Sequence, residues 1–265
     1  MIPPTSIDGT DITGATIDGT DVQEITVDGD VVFSAATTAP LVTNNLIQNY
    51  DARTLSLSNG QSVSQWTDSS GNGFTASANG NVTYDANALN GNPAVDLDGS
   101  DGTYLNISNV PTTAEFTQTF LINFPPVTSI NFNYFYGAGY DNNSSYNLIG
   151  EDDIGGIFVD DSGNLTVIPS ISIQTNVFIL ITYVSDGNGN LDRYIDGNNV
   201  STDSIPTFST TTHDHQIGYA FPRNFGSRAY TNALYAQLLR YDRALTSTEL
   251  AQNRSYFNNE WGISV

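Results

Sequence analysis

His213 and His215 flank Asp214, so that along a β-strand both imidazoles would share one face, a geometry metals can use. The sequence names no third ligand, and the competing reading is an exposed loop before a strand at 216–219. Asp186-Gly187-Asn188-Gly189-Asn190-Leu191-Asp192 spaces oxygen ligands like the opening of a calcium loop. Leu191 and Gly197 stand where that loop needs a glycine and a bidentate glutamate, which favours a plain hairpin turn. Two stretches mix flat aromatic rings with amides and hydroxyls, the combination a sugar needs. In residues 131–146 the candidate glycan contacts are Tyr140, Asn142, Asn143 and Tyr146; in 219–230 they are Arg223, Arg228 and Tyr230. The two arginines would suit an acidic sugar. Phe132, Tyr134 and Tyr136 alternate at period two, so one face of that segment reads as core.

The background to these side chains is strongly acidic. In 265 residues there are 28 acids and 7 bases, a net charge of −21, and all seven bases are Arg. Such a surface repels phosphate backbones and anionic headgroups, so neither nucleic acid nor a membrane is an expected partner. No apolar run approaches the ~18 residues of a membrane span. Cysteine is absent, which excludes disulfides, thiolate metal sites and cysteine nucleophiles. Acidity without Lys predicts a protein adapted to high salt, where a Debye length of ~3 Å at 1 M screens self-repulsion. Residues 1–6 have neither the basic nor the apolar region of a secretory signal.

Three kinds of element must position the candidates. Residues 1–33 read as an arm whose residues 7–32 form a repeat, with Ile7, Ile12, Ile17, Val22, Val27 and Val32 recurring every five positions around Asp-Gly dipeptides. Asp-Gly between β-branched residues signals hairpins. These units bury too little to stand alone, which predicts an assembly arm packing on copies of itself or on another protein. Residues 34–44 read as a small-residue linker. Residues 45–265 carry many short strand-like runs, including 46–50, 63–66, 94–97, 104–107, 116–124, 177–184, 191–195 and 234–241, the pattern of an all-β sandwich. One helix is predicted from about 247 to 258, where Thr246 and Glu249 make a capping box, Leu245 and Leu250 a hydrophobic staple, and Trp261 packs behind.

Three stretches resemble the concanavalin A-like, laminin-G-like jelly-roll family. The first is Tyr50 to Gly73 with its Trp66-Thr-Asp68, followed by Leu89 to Gly99. The second is Arg193-Tyr-Ile-Asp196-Gly197-Asn-Asn-Val200, like the family's strand–turn–strand signature, and the third is Leu239-Arg-Tyr241-Asp242-Arg243 to Ile263. The resemblance implies a jelly-roll sandwich with a short C-terminal helix. It is compatible with lectins, adhesins, glycosidases and structural modules alike. The family's glycosidases place two carboxylates on a Glu-x-Asp-x-x-Glu strand. Glu151-Asp152-Asp153-Ile154-Gly155-Gly156 comes nearest, but Gly156 replaces the acid/base, so no enzyme is expected. The resemblance also allows Ca2+ near Asp98 and Asp101. The Asp-Gly arm is similar to segments preceding such domains in tail-fibre and decoration proteins of tailed viruses. With the acidity, this implies a virion surface protein of a virus of halophilic archaea. Its expected partners are other virion proteins, further copies of itself (a trimer by resemblance to viral fibres) and host glycans. The alternative is a carbohydrate-active enzyme or binding module secreted by a halophile.

Overall fold

In the computed structural model, residues 39–125, 135–138, 156–159, 165–168, 174–205, 207, 211–220 and 229–265 are described, with the arm's strands as backbone. The chain divides into two units, Met1–Pro40 and Leu41–Val265. In the first, β1 (Ser6–Ile7) pairs β2 (Thr10–Asp11), β3 (Thr16–Ile17) pairs β4 (Thr20–Asp21), and β5 (Glu24–Val27) pairs β6 (Asp30–Ser34). The pairings Ile7↔Thr10, Ile17↔Thr20 and Val27↔Asp30 each leave one Asp-Gly dipeptide between strands, the two-residue length of the tightest hairpins. Ile12 and Val22 lie outside the described residues.

The second unit is a sandwich of two antiparallel sheets. The larger, of eight strands, contains β7 (Leu46–Asp51), β10 (Val82–Leu89), β11 (Asn92–Asp98), β13 (Glu115–Asn123), β17 (Phe178–Asp186), β18 (Asn190–Ile195), β19 (Asn198–Ser204) and β23 (Asn232–Tyr241). Its order is β10-β11-β23-β13-β17-β18-β19, with β7 also on β23. The smaller, of five strands, runs β14 (Tyr136–Ala138), β20 (Thr211–Ile217), β12 (Tyr104–Thr112), β9 (Ala76–Asn79) and β8 (Gln65–Trp66). Two further pairs are β15 (Gly156–Val159) with β16 (Leu165–Ile168), and β21 (Tyr219–Ala220) with β22 (Ala229–Tyr230).

The central strands of the large sheet are buried on both faces. On β13, Phe116, Gln118 and Phe120 point into the sandwich, where Phe120 meets Tyr136 of the small sheet edge-on. Thr117, on the other face, donates to the Arg243 carbonyl and accepts from the Leu245 N–H. That outer face is covered by α1 (Ser247–Trp261). Thr246 accepts from the Glu249 N–H at 3.3 Å while the Glu249 carboxylate accepts from the Thr246 N–H at 2.9 Å, the reciprocal box read in the sequence. The helix runs three residues past the expected 258 and stops at Gly262, whose φ of +64° is a left-handed C-cap. Trp261 is therefore its last residue. It is wholly buried, donates to Gln237 Oε1 at 2.8 Å, and lies under the Arg53 guanidinium at 4.6 Å. Packing begins inside the segment read as linker: Val42 is buried, and its N–H donates to Asn253 Oδ1 at 3.0 Å. No helix among the described residues is long and apolar enough to cross a membrane.

Candidate functional site

The outer face of the five-stranded sheet is polar where its inner face is not. Along β12, Leu105 and Ile107 are wholly buried, while Tyr104, Asn106 and Ser108 alternate onto the opposite side. Register places Tyr104 against Asn79, and Asn106 between Ser77 and Gln216. The result is a groove of about 1060 Å³ lined by these residues with Asn109, Thr212, Asp214, Tyr219 and Tyr230. Its polar floor is held in place: Gln216 Nε2 donates to Asn106 Oδ1 at 3.1 Å, and the Asn109 N–H donates to Asp214 Oδ1 at 3.1 Å. Asn109 sits in a bulge of β12 at φ +57°, and such bulges re-aim side chains beside binding sites.

One wall is aromatic. Tyr219 and Tyr230 are directly opposed on β21 and β22, with ring centroids 4.9 Å apart and planes at 25°. Tyr104 stacks on Tyr219 at 4.9 Å. Gly80 and Gly102 form the rim; a Cβ on Gly80 (φ +69°) would lie 2.6 Å from the Gly102 carbonyl oxygen. Tyr104 and Tyr230 are half-buried and can cover the C–H face of a sugar while the fixed amides take its hydroxyls; Tyr219, itself buried, backs both rings.

The sequence candidates divide among several places. Of the glycan set, Tyr230 lies in the groove, whereas Tyr140, Asn142, Asn143, Tyr146, Arg223 and Arg228 lie outside the described residues, as do Glu151 and Asp153. The loop reading of 213–215 is corrected: both histidines are on β20, and His215 is wholly buried. Its Nδ1 pairs with Tyr136 Oη at 2.5 Å and its Nε2 faces Thr112 Oγ1 at 3.4 Å, so it faces the core and not an ion at the surface. Burial, reinforced by the charge of Arg240, holds its pKa well below the usual histidine range. His213 lines the groove. Asp98 Oδ1 accepts from the Ser100 N–H (2.9 Å) and hydroxyl (2.6 Å); burial opposes ionisation, but these bonds outweigh it and hold the pKa low. Asp101 is exposed in the adjoining turn. Asp186 closes the β17–β18 hairpin by accepting from Asn190 Nδ2 and from the Asn188 and Asn190 N–H groups, which lower its pKa. Among the described residues no three His, Asp or Glu side chains gather as a metal site. Tyr104, Asn106 and Ser108 were not singled out from sequence, although their period-two alternation with Leu105 and Ile107 is visible there.

Among curated proteins none matches the chain by sequence. Solved structures do match its fold. Domain 4 of AbnA, a GH43 extracellular arabinanase from Geobacillus stearothermophilus solved with arabinotriose, is 17% identical with a TM-score of 0.58, over 79% of this chain and 98% of that one. The binding domain of Paraclostridial Mosquitocidal Protein 1 is 16% identical at a TM-score of 0.60, over 82% of this chain and 53% of that one. A botulinum neurotoxin type C structure, described as depending on two ganglioside molecules for cell entry, is 13% identical at 0.59, over 80% and 52%. This chain thus spans about half the length of the toxin chains. At these identities the likeness is one of fold. A family model described as the concanavalin A-like lectin/glucanases superfamily matches residues 97–251, more than half of the chain. The protein belongs to that superfamily.

Proposed function

We propose that the second unit is a non-catalytic carbohydrate-binding module that takes a neutral sugar chain across the outer face of the five-stranded sheet. The observation that carries this reading is the Tyr104–Tyr219–Tyr230 stack set beside Asn79, Asn106 and Gln216 in one open groove. The described lining is made of amides, hydroxyls, His213 and the tyrosines, with Asp214 its one carboxylate. Glycosidases of the usual kind need two carboxyl groups flanking the bond, which supports binding over hydrolysis. The arabinanase domain, of which the chain covers nearly the whole, was solved with an arabinose oligomer, and this supports the same ligand class.

The hairpin arm gives the module its setting. Three short hairpins in a row need neighbours to cover them, which suits anchorage in a larger particle. A virion surface is the setting that matches the arm's resemblance to tail-fibre and decoration proteins, with the jelly roll displayed outward and a trimer as the favoured oligomer. Secretion by a halophile as a binding module of a polysaccharide-degrading system is the second reading, favoured by the arabinanase likeness.

A glycan array probed with the full chain in high salt tests the binding claim. Retention on neutral polysaccharides, arabinans among them, is expected, with loss in Tyr230→Ala. Equal retention by the variant, or binding confined to acidic glycans, would overturn it.

A further inference from the structure

Six buried side-chain atoms among the described residues lack a hydrogen-bond partner, and five of them stand on one line across the large sheet. They are Gln48 Nε2, Gln118 Nε2, Tyr183 Oη, and both Nε and Nη2 of Arg240. Cross-strand register makes the line: Gln48 lies opposite Arg240, Arg240 opposite Gln118, and Gln118 opposite Tyr183. Directly opposed residues present their side chains to the same face. Here that face is the interior, where the Arg240 guanidinium lies 5.1 Å from the Phe116 ring and 5.9 Å from that of Tyr136.

The acceptors nearby are already engaged. Gln48 Oε1 accepts from Tyr136 Oη at 2.9 Å, which leaves the amide nitrogen as an unmet donor. Gln118 Oε1 accepts from Arg240 Nη1 only at 3.4 Å, and its nitrogen is unmet too. Turning the Gln48 amide over would let its nitrogen donate to Tyr136 Oη, but neither amide's orientation changes the charge of Arg240. Arg53, Arg193 and Arg243 each have a carboxylate partner; among the described residues none lies within 4.0 Å of Arg240. Asp242 acts on Arg240 only from a distance, without an ion pair, and a buried cation with no counter-charge in contact is costly. A water molecule could accept from two of these N–H groups, but it carries no charge to set against the guanidinium. A halide accepts from several N–H groups, donates to none, and neutralises the guanidinium. Zero exposure and the flanking aromatic rings favour a small, weakly hydrated ion over a polyatomic one.

We infer that a monatomic anion, chloride in ordinary salt, is bound inside the sandwich between Arg240 and the amide nitrogens of Gln48 and Gln118. Stability then depends on the identity of the anion as well as on ionic strength. Thermal unfolding of the full chain should be followed in sodium chloride or bromide against gluconate, at constant ionic strength. The midpoint is expected to rise with halide and then saturate. Gln118→Glu, which sets an internal carboxylate beside Arg240, should fold and lose that dependence. Crystals grown in bromide give the readout that needs no variant. An anomalous peak in contact with Arg240 supports the site. Density at Arg240 accounted for by water alone, without anomalous signal, overturns it, as does a wild-type midpoint indifferent to halide.

Discussion

The ring of Tyr104 stacks on that of Tyr219 with centroids 4.9 Å apart and planes at 30°. One ring comes from β12 in the five-stranded sheet and the other from the β21–β22 pair, so the contact joins two separately paired pieces of chain into one wall of the groove. Replacing Tyr104 with Ala should remove both a sugar platform and the support for Tyr219. We expect Tyr104→Ala to weaken glycan affinity about tenfold, or ~1.4 kcal/mol. Tyr104→Phe, which keeps the stack, should stay within about threefold. Calorimetric titration of both variants with the glycan that binds best checks this; equal losses would assign the effect to the hydroxyl and not the ring.

His215 makes stability depend on pH. Buried beside Arg240, it stays neutral in the folded protein far below the pH at which an unfolded histidine, near 6.5, takes up its proton. The unfolded state therefore binds more protons below that value. The contribution is fully present above about pH 6.5 and falls with decreasing pH, by up to about 1.4 kcal/mol per unit. Urea unfolding at pH 7.0, 6.0 and 5.0 should show the wild type losing stability relative to His215→Gln at each step. Parallel curves would contradict this.

Gly80 should tolerate no side chain. Its φ of +69° is strained for an L residue, and a Cβ would press on the Gly102 carbonyl and the Thr103 hydroxyl at 2.6 and 2.8 Å. Gly80→Ala is expected to cost about 2 kcal/mol or more from the backbone conformation and the forced shift together. The glycan affinity should fall with it, because the groove's rim must move. Denaturant midpoints and titrations on the same preparation measure both.

Salt acts on the surface as well as on Arg240. With a net charge of −21, lowering ionic strength from about 1 M to 0.1 M lengthens the Debye length from about 3 to 10 Å and exposes the carboxylates to one another. The unfolding midpoint in sodium gluconate should drop across that range. A flat response would remove the expectation of salt adaptation.

What could be read in advance was mostly local. Thr246 and Glu249 are three residues apart, and their box needs no other part of the chain, so the helix start was legible. The central strands β13, β17 and β23 announce themselves because both faces are buried and the sequence is correspondingly apolar. The strand β10 at one end of the large sheet was missed, and β19 at the other showed only in the resemblance of 193–200 to a strand–turn–strand signature. On β19 alternate residues such as Asn199, Ser201 and Asp203 are polar, and the strand is held to β18 by backbone pairing. The burial of His215 rests on Tyr136, 79 residues away, and no spacing rule reaches that far. The groove is illegible for the same reason: Tyr104 and Tyr230 become neighbours only when the sheets close.

The central claim is that sugar lies across Tyr104 and Tyr230, with Tyr219 behind them, and aromatic NMR resonances recorded while a neutral oligosaccharide such as arabinotriose is titrated test it most directly. Binding at the groove predicts saturable shifts confined to these three tyrosines and to the side-chain amides of Asn106 and Gln216. Shifts that saturate at other residues while these five stay unmoved would contradict it.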